Sequence, residues 1–263
     1  MQFIKDNYNY YDENSYFEVS LRSVIGTRDE QQDSAAVRLN YDNGIIVICD
    51  GMGGHKGGRS ASSIAAEKMA ECFNNRSQNA NVPSTFLNIM DELDSEVMNL
   101  RDSDGTVMKA GTTLVASYIE KRSIHWASVG DSRIYIIRGD EIVQVTKDHN
   151  LKFRLDNQLE ENKISLQQYR ENIIHGDMLI SFLGVGGLEL VDINSESFTL
   201  YPDDRVLLTT DGLYKALNVE TILKIISNFI NVKEATEALI EKAQRTAEGG
   251  SLDNTTISLI RIK

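Results

Sequence analysis

Residues 45–58, IIVICDGMGGHKGG, decide how the rest of the chain is read. Ile45 to Cys49 form a short apolar run rich in Ile and Val, which predicts a buried strand. That run delivers Asp50 to a stretch carrying Gly51, Gly53, Gly54, Gly57 and Gly58. A carboxylate at the end of a buried strand is costly without a charged partner. Two readings follow. Asp50 caps a tight strand-to-helix turn, or it is a metal ligand and the glycines let the backbone approach the ion.

Working outward, FEVSLRSVI (17–25) and SAAVRL (34–39) read as strands separated by the polar loop GTRDEQQD. Beyond the glycines, Ala61, Ile64, Ala65, Met69, Cys72 and Phe73 fall on one face, predicting a helix over 59–76. Pro83-Ser84 opens a second helix with Phe86, Met90, Leu93, Val97 and Leu100 on one stripe. From Gly111 come TTLVASYI, SIHWASV, RIYIIR and EIVQV, joined by short turns that include Gly130-Asp131 and Gly139-Asp140. Consecutive short strands with tight turns imply antiparallel pairing. Several of these runs are apolar at successive positions, so both faces need cover. Residues 150–180 are charged and predict short surface helices; RVLLTT (205–210) and TTISLIRI (255–262) return to strand. Asn218 is placed to cap a helix bearing Ile222, Ile225, Ile226 and Phe229, and a last helix over about 233–247 stops at Gly249-Gly250. The expected fold class is α+β: a four-layer α/β/β/α sandwich, two mainly antiparallel sheets with helices on the outer faces.

At 263 residues the chain fits one large domain, 1–263, with a polar N-terminal extension at 1–16. Asp and Glu outnumber Lys and Arg by 39 to 27, a net charge of −12, which disfavours a nucleic-acid partner. Cys49 and Cys72 lie in apolar patterns and read as reduced core residues. Neither a secretory signal nor a membrane span is evident, so the expected location is the cytoplasm. Lys56 among glycines lacks the Ser or Thr of a nucleotide-binding loop, because Gly57 follows it.

One feature repeats: a strand beside an aspartate and a small residue. IIVICDG carries Asp50, WASVGDS Asp131 and VLLTTDG Asp211. Asp253 precedes the closing strand, and Asp33 precedes the strand at 34–39. Each alone reads as a turn aspartate. As a set converging on one edge they would repel, and cations must fill the gap. All-oxygen donors suit Mg²⁺ or Mn²⁺ and not zinc.

GTRDEQQDS, CDGMGGHKGG, AGTTLVA, ASVGDSRIY, VLLTTDG and SLDNTT stand in the order seen in the PPM (type 2C) family of metal-dependent protein serine/threonine phosphatases, and the chain resembles its bacterial branch. The resemblance runs from about Glu18 to Ile262. It implies hydrolysis of phosphoserine and phosphothreonine on proteins by a water or hydroxide bridging two metal ions, Mn²⁺ or Mg²⁺. By resemblance, Asp50 bridges the ions, Gly51 offers its carbonyl to one of them, Asp211 and Asp253 complete the other, and Asp33 holds metal-bound water. Arg28 binds the substrate phosphate, and Asp131 matches a ligand to a third, weaker ion. The 150–180 segment is the family's variable flap. Phosphoproteins would be the partners, phosphorylated by a serine/threonine kinase of the same cell, with the phosphatase a monomer.

Departures are visible too. Gln32 replaces a carboxylate beside Asp33; Met52 stands where eukaryotic relatives carry a histidine; Lys215 replaces an acidic ligand, putting the third ion in doubt. Of the histidines, His55 reads as a loop residue and His125 as half-buried packing. Two rival readings stay open: a catalytically weak module that binds phosphoproteins, and a phosphatase for small metabolites.

Overall fold

The alternation inside the opening stretch explains the layers. In the computed structural model, Ile45, Val47 and Cys49 face one apolar cluster and Ile46 and Ile48 another, all with at most 2% exposure. A strand with apolar side chains on both faces must be covered on both, and each buried Ile or Val contributes about 1.5–3 kcal/mol. The structure describes residues 7–54, 56–77, 79–247 and 250–263. His55 and Gly249 therefore lie outside the described residues, as do the sequence readings made of them.

In chain order, the first half runs β1 (Tyr8–Glu13), β2 (Phe17–Val24), β3 (Asp33–Leu39), β4 (Asn43–Gly53), α1 (Lys56–Asn74) and α2 (Val82–Met98). Then come β5 (Ala110–Thr112), β6 (Leu114–Glu120), β7 (Ser123–Val129), β8 (Arg133–Arg138) and β9 (Glu141–Gln144). The segment expected as surface helices holds α3 (Leu151–Glu160), α4 (Leu166–Asn172) and one 3-10 turn (Ile173–His175). The chain closes with β10 (Asp192–Ile193), β11 (Phe198–Thr199), β12 (Arg205–Thr209), α5 (Asp211–Ala216), α6 (Val219–Ser227), α7 (Val232–Thr246) and β13 (Thr255–Ile262).

The strands make two antiparallel sheets. One has the order β1-β2-β13-β12-β8-β9; the other runs β10-β7-β6-β4-β3, with β11 beside β7 and β5 beside β4. Ile46, Ile48, Val115, Val206, Leu208 and Ile260 pack between the sheets. Ala61, Ala65, Met69, Phe86 and Leu93 of α1 and α2 cover one outer face, and Ile222, Ile226, Leu239 and Ala243 of α6 and α7 cover the other. This is the α/β/β/α sandwich.

Three details differ from the expectation. Tyr8–Glu13, inside the stretch read as a polar extension, is strand β1, paired antiparallel to β2. The turn at Gly130-Asp131 makes no hairpin: β7 belongs to one sheet and β8 to the other, so the chain changes sheets there. Apolar cover on both faces permits either pairing, and tertiary packing selected the crossing. Finally, β4 continues past Asp50 to Gly53, because Gly51 and Met52 pair with Thr112 and Gly111 of β5. Helix α1 starts only at Lys56, so Asp50 is not its cap.

Candidate active site

The sheet ends that carry the aspartates meet in one cleft of about 300 Å³. Its walls include Arg28, Asp50, Gly51, Asp131, Asp211 and Asp253. Each arrives by a different route: Asp50 within β4, Asp131 at the crossing between sheets, Asp211 as the first residue of α5, and Asp253 two residues before β13. Asp33 is the direct cross-strand partner of Asp50 and is buried beneath it at 1% exposure. Arg28, Asp33, Asp50, Gly51, Asp131, Asp211 and Asp253 are thus at or directly under the same cleft.

Backbone contacts hold Asp50 firmly. Its N–H donates to Thr113 Oγ1 at 3.0 Å, and its carbonyl accepts from the Thr113 N–H and the Thr112 hydroxyl, each at 2.9 Å. Thr113 Oγ1 also pairs with Ser132 Oγ at 2.7 Å, tying Asp50 to the crossing beside Asp131. The glycine after Asp50 serves close packing within the protein: a Cβ on Gly51 would collide with the Gly58 carbonyl of α1. Gly212, after Asp211, does the same against the Asn254 carbonyl. Asn254 in turn accepts from the Gln32 N–H at 2.8 Å and donates to the carbonyls of Ile25 and Glu30, locking the Arg28 loop to the start of β13.

The carboxylates strain one another. Burial raises Asp50 well above the usual carboxylate range, and the charges of Asp33, Asp211, Asp131 and Asp253 raise it further. Burial pushes Asp33 up to about 7; the hydroxyls of Thr256 and Thr210 oppose this, and the charges of Asp211 and Asp253 add to it. Asp131 rises to about 6 through burial and Asp211, with Lys215 opposing. Groups placed this way seek positive charge. Two cationic side chains supply part of it. Lys215 Nζ lies 2.5 Å from Asp211 Oδ2, and Arg28 Nη2 lies 2.6 Å from Asp253 Oδ2.

The donor set fits a hard divalent cation. All the side-chain donors are oxygen, and Asp33 Oδ1 and Asp211 Oδ1 are buried without a hydrogen-bond partner. Among the described residues no group of three or more His, Cys, Asp or Glu side chains is arranged to hold a metal ion as it stands. Sequence reading missed Thr113, Asp177 and Leu179 among the wall residues. Thr113 gives no signal beyond the AGTT string, and Asp177 follows the 3-10 turn in the charged segment, where nothing in the pattern sets it apart.

Fold and site together define a class: a four-layer sandwich with a polyanionic, cation-seeking cleft at the ends of its two sheets. The protein phosphatase 2C profile matches residues 22–247, and the chain belongs to that family, the PPM phosphatases. It is 29% identical over 238 residues to the serine/threonine phosphatase stp of Listeria monocytogenes, covering 89% of this chain and 90% of that one. It is 28% identical over 247 residues to the protein phosphatase PhpP of Streptococcus pneumoniae, covering 92% and 96%. Among solved structures, the serine/threonine phosphatase of S. agalactiae superposes with a TM-score of 0.80 at 24% identity, covering 94% of this chain and 100% of that one. The catalytic domain of the phosphatase PstP, solved in complex with two manganese ions, gives 0.72 at 23% identity, covering 94% and 98%. At these identities the structural likeness speaks for the fold.

Proposed function

We propose that this protein hydrolyses phosphoserine and phosphothreonine on proteins, using two Mn²⁺ or Mg²⁺ ions held in the cleft. The observation that carries the reading is the meeting of Asp50, Asp211 and Asp253, far apart in sequence, on the walls of one cleft with Arg28. Asp50 would serve both ions, Gly51 through its carbonyl would serve one, and Asp211 and Asp253 would complete the other. The ions, when bound, supply the Lewis acidity that makes water a nucleophile at neutral pH.

The chain's own groups do the rest. Arg28 presents a planar guanidinium to the phosphoryl oxygens, exchanging its bond with Asp253 for the substrate. Asp33 backs Asp50 from the neighbouring strand and keeps one oxygen uncommitted. Met52 lines the cleft and carries no transferable proton, so the leaving serine or threonine oxygen is protonated by solvent. Neither cysteine is needed as a nucleophile: Cys49 points into the core on the α1 side, whereas Cys72, expected in the core, is exposed because it falls off the buried face of α1.

Supporting the assignment to phosphoproteins are the family itself and the similarity to phosphatases named for serine and threonine. On that basis the partners are phosphoproteins made by a serine/threonine kinase of the same cell. We read the chain as one domain, 1–263, acting as a monomer in the cytoplasm, with 150–180 as its flap; among the described residues no helix is long and apolar enough to cross a membrane. Phosphate release from a phosphothreonine peptide, with Mn²⁺ and with EDTA, tests the activity. Turnover that needs Mn²⁺ and vanishes in Asp50→Ala is expected. Turnover unaffected by either change removes the metal-dependent reading, and faster turnover of sugar phosphates would reassign the substrate.

A further inference from the structure

The cleft contains a cation that the proposed chemistry does not use. Lys215 sits on α5 one turn beyond Asp211, and its ammonium bonds Asp211 Oδ2 at 2.5 Å. It lines the cleft with Asp131 and Asp177. Burial works against the ammonium, yet the bond to Asp211 and the charges of Asp211, Asp131 and Asp177 keep it protonated. The scaffold around it is anchored. Tyr214, its neighbour, donates to the Asp131 carbonyl at 3.0 Å, and its ring lies 3.5 Å from the Arg133 guanidinium carbon. Arg133 is itself held by both oxygens of Asp148, at 2.9 and 2.6 Å. These bonds fix α5 against the sheet crossing, and the half-exposed Lys215 side chain is held to the cleft by its bond to Asp211.

Asp211 divides its work between its two oxygens. Oδ2 is taken by Lys215, whereas Oδ1 is buried with no hydrogen-bond partner. One oxygen is therefore available to a metal ion and the other already has its counter-charge. The charge balance agrees. Five aspartates line the cleft and Asp33 lies beneath it, against Arg28 and Lys215 as the cationic side chains of the described walls. With all six carboxylates ionised, the state that bound cations favour, the two cationic side chains leave four negative charges, which two divalent ions cancel. A further divalent ion on the Asp131 side would have to displace the ammonium or lie beside it, at a Coulombic cost.

We propose that Lys215 is the cleft's built-in cation: bonded to Asp211 and in the field of Asp131 and Asp177, it takes the place of a further metal ion and sets the divalent complement at two. This rests on the metal-dependent reading above, and it concerns how many ions bind rather than whether the enzyme turns over. Lys215 is a charge-setting residue, acting through Asp211.

The test counts ions directly. Metal-free full-length protein is titrated with Mn²⁺, and bound ion is measured by electron paramagnetic resonance and calorimetry for wild type, Lys215→Arg, Lys215→Met and Lys215→Asp. Wild type and Lys215→Arg are expected to bind two ions, and Lys215→Asp three. A wild type that binds three, or a Lys215→Asp that binds only two, overturns the inference. Circular dichroism checks each fold. Should Lys215→Asp not fold, Lys215→Met removes the charge alone: a third ion at raised Mn²⁺ supports the inference, and an unchanged count overturns it. A wild type that dephosphorylates peptide with Mn²⁺ yet binds three ions overturns only the role of Lys215. One that binds no Mn²⁺ and hydrolyses nothing overturns the phosphatase reading as well.

Discussion

Asp33→Asn should stabilise the metal-free protein at alkaline pH while weakening its response to metal. In the open chain the Asp33 carboxyl has the usual value of 3.8; in the fold, burial chiefly pushes it up to about 7. Between those values the folded state keeps a proton that the unfolded chain has lost. Stability therefore falls as pH rises through this window, by about 1.4 kcal/mol per pH unit, and levels off above about pH 7. The total for this one group is about 4 kcal/mol. Asparagine keeps an oxygen for the Thr210 hydroxyl, which donates to Asp33 Oδ2 at 2.9 Å. Its NH2 takes the place of Oδ1, which has no partner, and leaving that group unbonded costs about 1 kcal/mol. The net gain at pH 8 is about 3 kcal/mol, shrinking below about 1 kcal/mol at pH 5. Urea denaturation in EDTA at both pH values measures this. With saturating Mn²⁺ the advantage at pH 8 should disappear, because ligand binding to the folded wild type adds about 3 kcal/mol at a hundredfold excess over Kd. A variant no more stable than wild type at pH 8 in EDTA, or with the same advantage at pH 5, would refute the reasoning.

Three further substitutions probe how the scaffold aims the cleft. Thr113→Val removes the hydroxyl that accepts from the Asp50 N–H and pairs with Ser132, and should cost about 1–3 kcal/mol in thermal denaturation and weaken Mn²⁺ binding. Gly212→Ala drives a Cβ into the Asn254 carbonyl and should cost about 1–3 kcal/mol with a loss of kcat/KM, whereas Gly54→Ala, whose Cβ would meet nothing within 4 Å, should change stability by under about 0.5 kcal/mol.

Much of the fold was legible because it rests on local rules. Two-sided apolar runs such as Ile45–Cys49 can be satisfied only between layers, and Ile222 and Ile226 mark a helix face that Asn218 caps by accepting from the Thr221 N–H. Short elements were less legible. Helix α5 has six residues, too few to show a period, and β1 alternates weakly among polar residues. The order of the aspartate strings pointed to the family, and with it to which aspartates belong together.

By itself the sequence determined most of the longer strands and helices and the need for apolar cover on both faces of the sheets, and it raised the expectation that the aspartates hold cations. These follow from side-chain polarity and spacing, which are properties of neighbours along the chain. Only the tertiary structure decided that the Gly130-Asp131 turn changes sheets, that Gly51 makes room for α1, and that Lys215 spends its charge on Asp211 with Asp131 and Asp177 nearby. Those are contacts between distant segments, and a side chain's electrostatic partner is set by where packing brings it, which no local pattern encodes.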